Sequence, residues 1–455
     1  MSHLADVKLY SQLNIIHLFH RHRVIALGSV TSGFARAVFA ITMIITTGVA
    51  TRSFTKEEFG LWAILFSFIY LGYTFDFGFR STLTNRLAAM VANSSGQTDI
   101  KNFFLSIFYL QVGIGIVGAF LFIISGNLIP WASLLKVQQP EMLRYINRLM
   151  IIVICILFVN VPFLVNSSVF CAFQEVHLDA LLNAVQWVVL LGIFLVFIII
   201  VPLKFGKVII CYFSAYLMIG IMRTIILFHH RKWCLSWVPI RKQFRNIKAI
   251  SSVSSHFFLL NISTIIVSTG GTFLAGLIGG LTDAGTFNLI QRLFGFLINM
   301  HMALMASFVP AFTQWASLGD WDGVRRKFQF CLHVIVPLLF IGIGGMIFIF
   351  HPIILKLWTG LSMSKYTLAG LFALFALLMG WRNTNSILLN SLGLVKTQAM
   401  LAFIIAPIYL FLTFYFGKLI GVEGVVLANV LCAVPGTIIF TWYTKEAIKR
   451  RRLNV

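Results

Sequence analysis

Nearly every window of about 20 residues in this chain is apolar enough to cross the hydrocarbon core of a bilayer. That property removes most folds at once. A water-soluble domain of 455 residues needs a polar shell, yet only 11% of this chain is charged and 59% is hydrophobic. A membrane β-barrel would show short segments of alternating polarity rather than long apolar runs. In lipid, every backbone N–H and C=O must find its partner inside the structure, which leaves helices. The expected class is an all-α integral membrane protein.

Twelve transmembrane spans are expected, at roughly 24–50, 57–86, 103–128, 149–171, 179–202, 208–229, 250–279, 283–312, 328–350, 366–392, 397–417 and 424–444. An even number puts both termini on one side. The segments on that side carry 20 Lys and Arg, the opposite loops carry 10, and five lie inside spans. The excess places both termini of this multi-pass membrane protein in the cytoplasm. The net charge of +22 is thereby a record of topology, and nucleic acid is not expected as a partner. The apolar run after Arg23 is too long for a signal-peptide core and has no prompt cleavage site, so the first span stays in place.

A repeat is visible at an offset of 227 residues: FTKEEFGLWAIL from Phe54 and LTDAGTFNLIQRLF from Leu281. Thr55 and Glu58 form a capping box, with Phe54 and Phe59 placed as a hydrophobic staple. Thr282 is placed to cap the second helix, with Asp283 favourable at its positive end. The expected architecture is two six-helix lobes in parallel repeat around a central cavity. Residues 1–228 form the N-terminal lobe, 229–249 a basic cytoplasmic linker, and 250–455 the C-terminal lobe.

Charges inside spans cost roughly 2.5–3.5 kcal/mol each on insertion scales, so they mark cavities or partners. Arg36, Asp76, Arg80, Arg292 and Arg382 are the candidates for substrate contact. Arg36 lies about 20 Å beyond Arg23 and Arg292 about 15 Å from Thr282, both near mid-bilayer. Asp76, Arg80 and Thr84 are spaced to line one helix stripe. Two readings of that stripe stand: a self-satisfied pair holding span 2 against span 1, and a substrate contact. Four deep arginines against the single deep acid would call for an anion in a water-filled cavity if they converge. Arg223, eight residues before Arg231, is expected to snorkel to the cytoplasmic interface. Asp76 and, less directly, His301 are candidates for coupling to H+ or Na+. His301 reads first as a hydrogen-bonded packing residue.

Other chemistries lack their residues. The six cysteines are scattered in apolar runs with no CxxC pair, and no HExxH or clustered ligand set implies a metal. No GxxxxGK[ST] is present, so the chain has no phosphate-binding loop for ATP. A membrane polymerase or glycosyltransferase needs a sizeable loop bearing catalytic carboxylates. The outer loop IPWASLLKVQQPEMLRYINR holds one acid, Glu141. No catalytic residue and no cofactor are expected, and the chain reads as a non-enzyme.

Three stretches carry a resemblance: FGLWAILFSFIYLGYTFDFGFRSTLTNRLA, VPFLVNSSVFCAFQEVHLDALLNAV, and NSLGLVKTQAMLAFIIAPIYLFLTFYFGKLIGVEGVVLANVL, the last with Asn390, Gly393, Lys396, Gln398, Gly421 and Gly424. Together they resemble the O-antigen and polysaccharide flippases of the multidrug/oligosaccharidyl-lipid/polysaccharide exporter superfamily. The resemblance implies a twelve-span, two-lobed transporter of the bacterial inner membrane that moves an undecaprenyl-pyrophosphate-linked oligosaccharide between leaflets by alternating access. It implies a cationic cavity, with Arg36, Arg80 and Arg292 matching by span and depth and Asp76 as the acid on the second span. The second lobe lacks that pair, since the offset lands on Ala303 and Ser307. Expected partners are the lipid-linked oligosaccharide, membrane lipids and a polysaccharide polymerase. A multidrug cation antiporter of the same superfamily is the rival, and it would want carboxylates in its cavity.

Overall fold

The computed structural model describes residues 2–306, 308–392, 394 and 396–453. Side chains are described from Leu27 onward, apart from Ser29 and scattered positions within 256–317, 396–402 and 452–453. Ser307 and Gly393, the side chain of Lys396 and the side chains of the basic N-terminal tail lie outside the described residues.

The described residues are helical throughout, with no strand among them. The first half runs α1 (Ser2–Ser53), α2 (Lys56–Gly72), α3 (Phe79–Ala92), α4 (Gln97–Ser125), α5 (Trp131–Leu134), α6 (Pro140–Asn160), α7 (Asn166–Ala172), α8 (Val176–Leu195) and α9 (Phe205–Arg231). The second runs α10 (Ile240–Ser268), α11 (Gly271–Gly279), α12 (Leu281–Ala306), α13 (Phe308–Ser317), α14 (Trp321–Phe330), α15 (Gly344–Thr359), α16 (Tyr366–Ser391), α17 (Lys396–Ile420) and α18 (Val422–Leu453). Between α14 and α15 the turns widen to π geometry at Cys331–Ile335 and Pro337–Ile343.

Nine runs among the described residues are long and apolar enough to cross a membrane, and a bent pair within α10 makes a tenth. Two more helices, α12 and α16, have the length, at 26 residues each. They carry Asn288, Gln291, Arg292 and His301, and Arg382, Asn383, Thr384 and Asn385, which make them more polar than their neighbours.

Contacts divide the chain into two compact units. The first holds Met1–Thr46, Phe75–Phe122 and Cys155–Phe257, the second Thr47–Thr74, Ile123–Ile154 and Phe258–Val455. The first unit is built on an aromatic and aliphatic core of Phe79, Leu83, Leu87, Phe103, Phe104, Phe170 and Ile250. Its α4 approaches α6 so closely that a Cβ on Gly115 would stand 2.6 Å from the Phe158 carbonyl oxygen. The expected linker is docked here: Trp233 and Val238 are buried in this core, and the Tyr109 hydroxyl donates to the Ser236 carbonyl at 3.0 Å.

In the second unit α2 packs on α12. A Cβ on Gly60 would lie 1.8 Å from the Leu281 carbonyl oxygen, and one on Gly285 would lie 3.0 Å from Phe59 Cδ1 and 3.4 Å from Gly60 Cα. The missing side chains bring the backbones together, as small residues do between membrane helices. These are the two helices of the sequence repeat. The Thr55–Glu58 capping box is present, with Thr55 N–H donating to Glu58 Oε2 at 2.9 Å and Glu58 N–H to Thr55 Oγ1 at 3.3 Å. Thr282 departs from expectation. Gly280, at φ +90°, turns the chain so that α12 already starts at Leu281, leaving Thr282 inside the first turn beside Asp283.

Candidate functional site

The stretch YLGYTFDFGFR does not form one continuous span. α2 ends at Gly72, Tyr73–Asp76 form a 3-10 turn, and α3 starts at Phe79. Between them Phe77 and Gly78 have φ of 50° and 76°. Left-handed backbone at a bulky residue costs of order 1–3 kcal/mol. Asp76 supplies the compensation: its Oδ1 accepts the Gly78 N–H at 2.7 Å, the Asx-turn geometry that steadies such a corner. Leaving the buried Gly78 N–H without that acceptor would cost about 1–3 kcal/mol, so the bond is comparable to the strain.

Asp76 is 1% exposed, while the Arg80 side chain is 36% exposed. Arg80 Nε stands 4.0 Å from Asp76 Oδ2, at the outer limit of an ion pair. Gln111 of α4 closes the site from behind. Its amide donates to the Asp76 carbonyl at 2.9 Å, and its own oxygen is buried with no hydrogen-bond donor. The expected pairing of Asp76 with Arg80 is therefore present, but the expected continuous stripe to Thr84 is not. Asp76 lies in the corner before α3, and the Thr84 hydroxyl turns back to the Arg80 carbonyl at 3.0 Å.

Arg36, in the first unit, is exposed, and no hydrogen bond or ion pair to it is found among the described residues. Its neighbour Ala35 packs against Ala180 and Ala184 of α8.

In the second unit Arg292 is fixed by neutral groups. Its Nε donates to Asn288 Oδ1 at 2.6 Å, its Nη1 donates to Thr47 Oγ1 at 2.6 Å, and its Cζ lies 5.4 Å from the centre of the Phe66 ring. Asn288 is held in turn, donating to Thr272 Oγ1 at 3.1 Å, and Thr272 donates to Gln291 Oε1 at 3.0 Å. This side-chain network fixes the position of the guanidinium. Arg382 stands apart from it, with its Cδ 3.3 Å from where a Gly436 Cβ would lie. His301 is fully buried, its Nε2 3.0 Å from Thr384 Oγ1 and its ring edge-on to Phe340.

The structure thus joins Asp76 to Arg80 and gives Arg292, His301 and Arg382 separate surroundings within the second unit. Sequence reading missed the neutral side chains that set these groups: Gln111, Thr47, Asn288 and Thr272. Their signal was polarity inside apolar runs, which a count of charges alone passes over.

Arg223 does not snorkel. Its Nη2 donates to Asp179 Oδ1 at 2.6 Å, and its Nη1 to Asn183 Oδ1 at 3.0 Å and Gln186 Oε1 at 3.1 Å. With both side chains of the ion pair under 15% exposed, it is a buried link between α8 and α9. Among the described residues no group of three or more His, Cys, Asp or Glu is placed to hold a metal ion.

Residues 28–316 match the model of a family described as polysaccharide biosynthesis protein. No curated protein matches the chain by sequence. Among solved structures, the chain is similar to an outward-facing multidrug resistance MATE family transporter of the MOP superfamily, with 14% identity, a TM-score of 0.61 and coverage of 95% of this chain and 97% of that one. An inward-facing MATE transporter gives 14% identity and a TM-score of 0.65, covering 92% and 99%. A MOP superfamily transporter from Pyrococcus furiosus gives 13% and 0.61, covering 94% and 96%. At such identities the likeness is one of fold. With well over half its length matched by a single model, the chain belongs to the polysaccharide biosynthesis protein family.

Proposed function

We propose that this transporter is a flippase that carries an undecaprenyl-pyrophosphate-linked oligosaccharide across the bacterial inner membrane by alternating access, for surface polysaccharide or O-antigen assembly. The observation that carries the reading is the preset guanidinium of Arg292, held by Thr47 and Asn288 inside a span. Guanidinium matches pyrophosphate in charge and planar geometry. In this reading Arg36, Arg80 and Arg382 add cationic contacts, the sugar occupies water between two lobes, 1–228 and 250–455, and the polyprenyl tail stays in lipid. Counting α12 and α16 as spans gives twelve, with both termini cytoplasmic. A polysaccharide polymerase is the expected consumer of the product. The membrane potential favours outward movement of negative charge, at about 2.3 kcal/mol per charge per 100 mV. Asp76 and His301 remain the groups to test for H+ or Na+ coupling.

The rival is a multidrug cation antiporter, because MATE transporters share the fold. Against it stands the charge of the candidate residues, among which Asp76 is the one acid beside Arg36, Arg80, Arg292 and Arg382. The similar structure from Pyrococcus furiosus is itself described as having a binding pocket of reverse polarity that suggests a different function. The deciding experiment is transport in proteoliposomes. Arg80→Ala and Arg292→Ala should each slow flipping of an undecaprenyl-pyrophosphate oligosaccharide by about tenfold or more, since a hydrogen bond to a charged group contributes about 1.5–3 kcal/mol. Full activity in both variants removes these residues from the mechanism. Extrusion of a cationic dye by the wild-type protein would favour the antiporter, and sugar release or chain growth would revive an enzyme.

A further inference from the structure

The segment between α9 and the body of α10 has two unlike sides. One side is fastened to the first unit. Asn246 Nδ2 donates to Ser106 Oγ at 3.0 Å, Lys242 pairs with Asp99 at 3.0 Å, and Ile250 is buried in the core with Trp233 and Val238. The other side faces outward and is apolar and basic at once. Leu235, Trp237, Ile240 and Phe244 are 66%, 75%, 57% and 69% exposed. Arg241, Arg245 and Lys248 are exposed beside them.

Helical periodicity sets the order. Ile240, Phe244 and Lys248 follow one another at intervals of four and form one row, with Arg241 and Arg245 in the adjacent row. Asn246 and Ile250 form the docked row on the opposite side. Water is a poor environment for Trp237 and Phe244, whereas a protein core would reject three cations without partners. A surface that offers hydrocarbon at one level and negative charge just above it suits both rows. The chain is held near such a surface by its spans, since the apolar run of α9 ends at Arg231, a few residues before Leu235.

We infer that residues 235–248 form an interfacial anchor for an anionic phospholipid surface. Leu235, Trp237, Ile240 and Phe244 enter the acyl boundary, and Arg241, Arg245 and Lys248 meet the phosphates. The basic residues are then more than a topology signal. They hold the connection between the two halves of the chain at a fixed depth, with Asn246 and Ile250 gripping the protein from above.

The test reads depth rather than transport, so its failure is distinct from failure of the flippase reading. A nitroxide is placed at Phe244→Cys, and separately at Leu235→Cys, in full-length protein whose six native cysteines are replaced by serine. A label at Gln97→Cys, an exposed position at the start of α4, gives the aqueous reference. In vesicles containing phosphatidylglycerol, the ratio of oxygen to nickel-chelate collisions should be severalfold higher at 244 and 235 than at 97. It should fall in phosphatidylcholine alone and in the R241Q/R245Q/K248Q variant. A ratio equal to that at 97 in every vesicle overturns the anchor and leaves the face to a protein partner. An equally high ratio in both lipids overturns the part assigned to anionic headgroups.

Discussion

Gly60→Ala should be the most damaging single-methyl change in the second unit. The added Cβ would lie 1.8 Å from the Leu281 carbonyl oxygen, whereas ordinary contact begins near 3.4 Å. The backbones of α2 and α12 must therefore separate by about 1.6 Å. The opposing atom is main chain and cannot rotate away. Overpacking of this kind costs about 1–3 kcal/mol, and a backbone clash belongs at the upper end. Alanine also gains about 1 kcal/mol of helix propensity over glycine, so a second Gly→Ala change is needed to cancel that gain. Gly295, in the same α12, has nothing within 4 Å of its would-be Cβ. The difference between Gly60→Ala and Gly295→Ala then isolates the packing cost, at about 3 kcal/mol. Gly285→Ala should fall between them, because its neighbour at 3.0 Å is the Phe59 ring, which can turn by a few tenths of an ångström. The assay is a thermal scan of intrinsic tryptophan fluorescence in detergent, at one heating rate for all variants because membrane proteins often unfold irreversibly. Equal transition temperatures for Gly60→Ala and Gly295→Ala would refute the close crossing of α2 and α12.

The other expectations follow from single contacts. Asp76→Asn keeps a side-chain oxygen for the Gly78 N–H and should leave stability nearly unchanged, whereas Asp76→Ala strands that N–H and should cost about 1–3 kcal/mol in the same scan. Arg223→Ala should cost about 1.5–3 kcal/mol by leaving the half-buried Asp179 with only Asn183 as a donor, and the R223M/D179L double variant should recover most of it. The transport losses expected for Arg80→Ala and Arg292→Ala, given above, share no residue with these tests, so a stable but inactive variant is informative.

The helical class was readable from apolar length alone, because lipid leaves the backbone few alternatives. The start of α2 was equally readable, since its cap needs only Thr55 and Glu58, three residues apart. The interruption of the second span was hidden. Its apolar residues run on through Phe75, Phe77 and Phe79, and periodicity does not register a corner made by one carboxylate and one glycine. Asp76 followed two positions later by Gly78 was the available clue. The partner of Arg223 was beyond local reading, because Asp179 lies 44 residues earlier and only the packing of α8 on α9 brings them together. Thr282 misled because a capping residue was judged by type, while Gly280 had already set the helix start through its backbone.

The corner at Asp76 has a mechanical consequence. The chain passes from one compact unit to the other between Thr46 and Thr47, Phe122 and Ile123, and Ile154 and Cys155, inside regular helix of α1, α4 or α6, and between Phe257 and Phe258 just past the 41° bend in α10. Between Thr74 and Phe75 it passes within the 3-10 turn instead. A helix resists bending because each added degree stretches several backbone bonds together, but a turn fastened by one carboxylate yields at a single point. A side chain that looks like a misplaced charge thus acts as the clasp on a turn at one of these passages.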